Sequence, residues 1–412
     1  MKDILLKFIE HAGNKSEVEL FWKLFHDLPP MKFAVISIAY EVLREDLESL
    51  ADSLALMHKL EIFPIIVLRL QKEDYFEYKV AQKRAPKGFD DVALKKNFTL
   101  FSGRLMKELR KRKARVRVVE GVFEWNDKNR MKIVTTRIAA ALSHFRIPII
   151  APIGFKNGKK VVLDSDVLSR ALVKVIKPKK FILINREGGV LDTQNQVVPF
   201  LNVSHKTEWG FEVRKDMKPV VRDIRQFLKS TVDCALVITS AESVLKEIFT
   251  VKGMGTFIKC HTLYLATYYE DVYTRRIKHL LEEAFEKILV KDYFDTDPLR
   301  IIYEKNYEGI AIMQEINEIP YLDKFAVAKA CEGTGLGKSL WLKVCQRFPQ
   351  MIWRATPENS MNSFYLRECD GCIKFPEWHV YWRNLEEKDI LPSVHAVLMK
   401  PRTLVKEVLE EE

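Results

Sequence analysis

The chain has 412 residues, more than one ordinary core organises, so two domains are the starting expectation. Apolar residues make up 47% and charged residues 30%, which excludes a disordered polyelectrolyte. No stretch approaches ~18 uninterrupted apolar residues, so no membrane-spanning helix is read from it. The net charge of +11 asks for an anionic partner.

The first ten residues, Met1 to Glu10, read as an amphipathic helix carrying Asp3 and Glu10 rather than a signal peptide. Six cysteines without framework spacing point to reduced thiols and a cytoplasmic setting. Phe33 to Ile38 is a short apolar run, Leu47 to Leu60 has helical spacing, and Phe63 to Leu68 is again an apolar run. The basic run Lys107 to Arg117 has no interleaved aromatics, so it reads as the last turn of a helix leading into a strand at Val116 to Val119. A nucleic-acid patch is the weaker reading. Pro148 to Ile153, Phe181 to Ile184 and Ala235 to Thr239 repeat the strand theme, with helical patterns at Asp166 to Lys174 and Val220 to Leu228. Short apolar runs alternating with helices predict a largely parallel sheet covered on both faces over the first 260 residues or so.

After Gly253-Met-Gly255 the texture changes. Tyr273 to Lys291 reads as one long amphipathic helix, and Leu299 to Tyr303 with Gly309 to Met313 as a hairpin. Tyr321 to Val327 is a strand that leads to Gly333-Thr334-Gly335-Leu336-Gly337 and then to a helix with Leu336, Leu340 and Val344 on one face. Three glycines in five residues between a strand and a helix free several backbone N–H groups at a helix N-terminus, a geometry that binds phosphate or pyrophosphate. That geometry alone leaves nucleotide and coenzyme A both open. Met351 to Arg354 is a strand and Asn362 to Glu368 a short helix. Trp378 to Trp382 is a strand with Trp378, Val380 and Trp382 on one face and His379 and Tyr381 on the other. Cys369 and Cys372 form a C-x-x-C with no second pair or histidine at ligand spacing, so no metal site is expected.

The C-terminal half closely resembles N-acetylglutamate synthases of the vertebrate-like and bifunctional synthase/kinase branch. The resemblance is carried by Tyr321-Leu-Asp-Lys-Phe-Ala-Val327, the glycine loop, Ile352-Trp-Arg354, Asn359-Ser-Met-Asn362, Phe364-Tyr365, Asp370-Gly-Cys-Ile-Lys374 and Trp378-His-Val-Tyr-Trp382. The N-terminal part resembles the amino-acid-kinase domain of that branch at Asp166 to Val173, Gly188 to Asp192, Val237 to Ser240 and Phe249 to Thr256, while residues 69–130 match poorly. The implied fold is α/β: an amino-acid-kinase-like three-layer α/β/α sandwich at 1–259 followed by a GNAT acetyltransferase domain at 260–412. The implied reaction is acetyl transfer from acetyl-CoA to the α-amine of L-glutamate, in a homo-oligomer, as a tetramer, with L-arginine as a possible effector.

By the same resemblance, Val327, Glu332, Gly333, Thr334, Gly335, Leu336, Gly337 and Lys338 hold the cofactor. Tyr365 protonates the departing thiolate, and Tyr321 and Asn359 position the amine and relay its proton. Lys324, Phe325, Arg354 and Lys287 bind the amino acid, with Arg354 suited to grip a carboxylate through two donors. Two departures stand out: Glu332 where the family carries Gln or Arg, and Thr356 where it carries a second arginine. In the kinase-like part, Ser37-Ile-Ala-Tyr40 replaces the Lys-x-Gly-Gly of active kinases, Arg69-Leu-Gln71 replaces a His-Gly turn, and Asp164 stands for a substrate-binding asparagine. Loss of two phosphate-cradling turns predicts a domain without kinase activity. An acetyltransferase for another acidic amino acid and a non-enzymatic arginine-binding regulator remain the alternatives.

Overall fold

The computed structural model describes residues 23, 25–70, 91–125, 130–156, 158–204, 212–230, 234–249, 254–331 and 335–405. The N-terminal helix read at Met1 to Glu10, Gln71, and loop residues Glu332, Gly333 and Thr334 lie outside them. The chain divides into two compact units, Met1–Cys260 and His261–Glu412.

The first unit is built on an eight-stranded sheet. Its order is Phe200–Asn202, Thr256–Lys259, Ala235–Thr239, Lys180–Ile184, Ala34–Ile38, Ile65–Leu68, Ile147–Ile150 and Val116–Val119. Neighbours pair parallel except Thr256–Lys259 beside Ala235–Thr239. Ile36 sits between Ile66 and Ile182 in register. The apolar runs do not alternate because both faces are covered: every residue of Ala34–Ile38 and Ala235–Thr239 is buried. Helices Leu47–Lys59, Ser165–Ile176 and Lys218–Lys229 supply the cover through their apolar stripes. The single run read at Pro148 to Ile153 splits. Ile147–Ile150 joins the large sheet, while Ile153–Lys156, beyond Pro152, enters a separate four-stranded sheet with Lys159–Val162, Phe123–Trp125 and Met131–Ile133. The basic run closes helix Asp91–Lys111 and enters strand Val116–Val119, with Lys111 and Arg112 both paired to Glu108.

The second unit runs β1 (Leu263–Ala266), α1 (Thr274–Phe285), β2 (Ile288–Leu289), β3 (Arg300–Glu304), β4 (Gly309–Ile316), β5 (Ile319–Val327), α2 (Leu336–Arg347), β6 (Met351–Ala355), α3 (Asn362–Glu368), β7 (Gly371–Lys374), β8 (His379–Arg383), α4 (Glu387–Met399) and β9 (Leu404–Val405). The main sheet has the order β1-β3-β4-β5-β6-β8-β7, and β2 pairs with β9. The hairpin read at 299–313 is β3–β4. The alternation read at 378–382 also holds: Tyr381 packs with α2 on one face, and Val380, Trp378 and Trp382 pack with α4 on the other. The long helix read to Lys291 is corrected. It ends at Phe285, where Glu286 turns left-handed at φ 52°, and Leu289 donates its N–H to Glu282 Oε1 at 3.0 Å. Its would-be last turn is a strand because β9, more than a hundred residues away, supplies the partner.

Helix α2 lies close over β4 because Gly309 has no side chain. A Cβ there would come within 2.7 Å of Leu340 Cδ1 and 2.9 Å of Leu336 Cδ2. Gly309→Val therefore lifts the first turn of α2 off the sheet, and we expect a loss of about 1–3 kcal/mol in urea unfolding; a variant as stable as the parent would show that the packing yields freely.

Candidate functional site

The decisive local feature is a register slip. Ile312 pairs with Lys324 and Met313 with Leu322, which leaves Asp323 as an extra residue in β5. Side chains alternate along a strand, so one inserted residue flips all that follow it. Tyr321 faces the α4 side and Leu322 the α2 side; after the bulge Phe325 and Val327 face α2, and Ala326 packs with α1. Lys324 thereby lands on the same face as Tyr321.

A second feature opens the sheet. Strands β5 and β6 pair in parallel only at Tyr321–Ile352 and Leu322–Trp353, although β5 continues to Val327 and β6 to Ala355. Beyond Leu322 the strands diverge, so β5 has a partner on its β4 side and none from β6. Backbone groups normally used up in the ladder are left available inside a sheet.

The α2 side carries Val327 and the described part of the glycine loop, expected to serve the cofactor, together with Phe325, expected to bind the amino acid, and the expected catalytic residue Tyr365. Gly335 takes φ 84°, a conformation glycine adopts without strain, and α2 follows directly; its first internal bond runs from Ser339 N to Gly335 O at 3.0 Å. The N–H groups of Leu336 and Gly337 open the first turn of α2, where backbone donors point outward along the helix axis. Leu336 is buried, Gly337 rests on Val327, and Lys338 is exposed. Phe325 meets Trp341 edge-on at 5.8 Å. Tyr365 projects from α3 into an aromatic nest, 5.8 Å from Trp353, 5.9 Å from Trp341 and 5.6 Å from Tyr381. Burial pushes its phenol well above the ordinary range, so it stays protonated at neutral pH. Asn359 shapes the turn that launches α3: its Oδ1 accepts from Met361 N at 2.8 Å.

On the opposite face three cations gather around one carboxylate. Lys324 Nζ donates to Asp323 Oδ2 and to Thr403 Oγ1, both at 2.7 Å, and lies 4.9 Å from the Tyr293 ring. Tyr293 also donates to Asp323 Oδ2 at 2.7 Å. Burial draws the Lys324 ammonium below its usual pKa, Asp323 opposes that, and Arg354 and Lys400 add to the lowering. Tyr321 is buried here, its phenol raised chiefly by burial, with Lys400 Nζ 5.2 Å from its ring. Arg354 stacks on Trp378 at 4.1 Å.

The expectation that Arg354 grips a carboxylate with two donors is corrected. Its Nη1 donates to the carbonyls of Val397 (2.7 Å) and Lys400 (3.0 Å), and its Nη2 to that of Pro401 (3.0 Å). A guanidinium satisfies the orphan carbonyls at the end of α4 in this way. Lys287 is not on a helix. It is partly buried just before β2, whose Ile288 pairs with Val405, and Val290 N bonds Thr403 O at 3.1 Å. Lys287 thus lies three residues from the strand position opposite Thr403, with no contact to the cation cluster recorded among the described residues. Residues missed in the sequence are Asp323, Thr403 and Lys400. An acid beside a lysine inside an apolar strand was a readable signal; Thr403 and Lys400 gave none.

In the first unit, the strand ends where kinases cradle phosphate carry no glycine turn. Ala39 N bonds Ile184 O at 2.9 Å and a helix begins at Tyr40, whose ring meets Phe101 at 5.2 Å. Arg69 N bonds Ile38 O at 2.8 Å. Asp164 caps helix Ser165–Ile176, accepting from Asp166 N and Val167 N. Among the described residues no group of three or more His, Cys, Asp and Glu side chains could hold a metal ion, and no helix is long and apolar enough to cross a membrane.

A family model described as NAT, the N-acetyltransferase of N-acetylglutamate synthase, matches residues 264–398. An acetylglutamate kinase of Xylella fastidiosa (strain Temecula1 / ATCC 700964) is 30% identical over an alignment covering 95% of this chain and 100% of that protein. Human mitochondrial N-acetylglutamate synthase is 27% identical, with 92% of this chain and 75% of that protein covered. The crystal structure of N-acetylglutamate synthase from Neisseria gonorrhoeae complexed with coenzyme A and N-acetyl-glutamate shares the fold at TM-score 0.57 and 16% identity, covering 90% of this chain and 98% of that one.

The Asp323–Lys324 pair is 5% exposed on both sides. Asp323→Ala strands a buried ammonium and should cost about 3–5 kcal/mol in urea unfolding. Asp323→Ala with Lys324→Met should cost less than Asp323→Ala alone. Equal or additive losses would mean that the two charges are not coupled.

Proposed function

Because the chain belongs to the family of N-acetylglutamate synthases and acetylglutamate kinases in which an amino-acid-kinase-like domain precedes a GNAT acetyltransferase domain, we propose that it transfers the acetyl group of acetyl-CoA to the α-amine of L-glutamate. The observation that carries this reading is the gap between β5 and β6, with helix-terminal N–H groups on one face of the sheet and a cation cluster on the other. A diphosphate suits the start of α2, where Leu336 and Gly337 offer backbone donors and the helix dipole favours negative charge. A dicarboxylic amino acid suits the face where three cations confront a single carboxylate. The amine then reaches the thioester through the gap, where unpaired β5 amides polarise the acetyl carbonyl.

The bonds balance simply. The amine nitrogen forms the C–N bond, the C–S bond breaks, and the thiolate takes a proton from Tyr365. Buried beside Trp353 and Tyr381, that phenol stays a donor. Before attack, water carries one ammonium proton to solvent past Tyr321 and Asn359; the second proton that nitrogen sheds as the C–N bond forms passes through water to restore the Tyr365 phenol. The six cysteines are free thiols, which fits the cytoplasm. The resemblance supports a homotetramer and L-arginine as an effector sensed by the first unit.

Purified protein supplied with acetyl-CoA and L-glutamate, with and without L-arginine, should release CoA and form N-acetylglutamate. Glutamate failing where another acidic amine reacts would end this version. Tyr365→Phe should lower kcat about 100-fold with KM nearly unchanged; a full-rate variant would remove Tyr365 from the chemistry.

The naming of the Xylella relatives favours a second reading, a working kinase in the first unit. We propose instead that phosphoryl transfer is lost, since Tyr40 and Arg69 stand where glycine turns would cradle phosphate. Incubation with ATP, magnesium and N-acetylglutamate should release no ADP above background; substrate-dependent ADP would establish the second reading.

A further inference from the structure

We propose that Lys400 is the cation that contacts the side-chain carboxylate of the acidic amino acid, and that Arg354 is a positioning residue that holds Lys400 in place. This rests on the acetyltransferase reading above and adds a specificity-determining residue to it.

The three cations differ in how far they are committed. Arg354 spends both terminal nitrogens on the carbonyls of Val397, Lys400 and Pro401. Those bonds are within one segment, and a substrate carboxylate would have to displace main-chain acceptors to reach them. Lys324 is held by Asp323 and Thr403, an acid and a hydroxyl at 2.7 Å each. Its charge is largely cancelled by the acid beside it. The Lys400 ammonium makes a single hydrogen bond among the described residues, to the neutral amide oxygen of Gln314 at 2.8 Å. An ammonium has three N–H donors, so two remain for a ligand.

Its placement also fits. Lys400 Nζ lies 5.2 Å from the centre of the Tyr321 ring, and Tyr321 is the last residue but one before β5 and β6 part. It is close enough to Asp323 and Arg354 to feel both charges. The cluster therefore carries more positive charge than Asp323 offsets, and the excess sits on the residue with open donors. Partial burial makes a charge-assisted hydrogen bond worth more there than at the surface.

Arg354 controls this placement through the backbone. It grips the carbonyl of Lys400 itself and those of Val397 and Pro401, and is flattened on Trp378, which Arg402 also approaches at 5.3 Å. Losing the guanidinium frees residues 397–401 and moves the Lys400 ammonium with them.

Steady-state kinetics of the full chain with L-glutamate and L-glutamine, at saturating acetyl-CoA, test this. Glutamine keeps the amine and the α-carboxylate and replaces the side-chain carboxylate with an amide. Lys400→Met should raise KM for glutamate about 10- to 100-fold, leave KM for acetyl-CoA unchanged, and shrink the glutamate-over-glutamine preference in kcat/KM by a similar factor. Lys400→Arg should restore most of the preference, which a purely structural role would not require. Arg354→Met should shrink it too, and adding Lys400→Met should cause little further loss. An unchanged preference in Lys400→Met, or an equal loss for both amino acids, overturns the proposal. Parent protein that acetylates no acidic amino acid overturns the functional reading, and this proposal with it.

Discussion

Strands β5 and β6 stay together for only two residue pairs, and the rest of the second unit is arranged around that parting. A sheet interior normally consumes its backbone donors in cross-strand bonds, and an open seam would admit water and cost stability. Here the seam is flanked by packing that keeps it in place. Trp341, Trp353, Tyr365 and Tyr381 form a continuous aromatic layer on one side, while β6 remains fully paired to β8 on the other. Backbone polarity thus becomes available beside a packed aromatic layer.

The bulge at Asp323 determines which groups meet across that seam. Regular alternation would put Lys324 with Leu322 against α2, in the apolar layer, where an ammonium has no partner. The extra residue turns Lys324 toward Tyr293 and Thr403 and provides its counter-charge from the adjacent position. One inserted residue thus separates an aromatic and apolar face lined by Phe325, Val327 and Tyr365 from a face of buried charge. The C-terminal segment completes the second face: Arg354 ties down residues 397–401, and β9 pairs with β2 just beyond. The cation cluster is built from two strands, β5 and β6, and the distant segment after α4, so none is sufficient alone.

The first unit follows a different logic. Its strands are buried on both faces, and their carboxyl ends converge where doubly covered sheets commonly bind ligands. Tyr40 and Arg69 occupy those ends with bulk and charge instead of bare backbone. The scaffold's core is centred on Ile36, Ile182, Val237 and their neighbours, and Tyr40 packs against it.

Several features were legible in the sequence for direct physical reasons. Unbroken apolar runs such as Ala34–Ile38 and Ala235–Thr239, and the period of 3.6 in Leu47–Lys59 and Leu336–Arg347, follow from local burial demands. Gly335, before a helix, announced a left-handed residue and open N–H groups. Tyr365 and Lys324 were singled out by the family resemblance of the motifs around them. Their environments were not visible. Pairing β2 with β9 turned an expected helix end into a strand, the slip at Asp323 chose the face for Lys324, and the end of α4 claimed the guanidinium of Arg354. Residue type and local spacing carry the first kind of information. The second depends on which distant backbone groups need a partner, and that is decided only when the chain closes on itself.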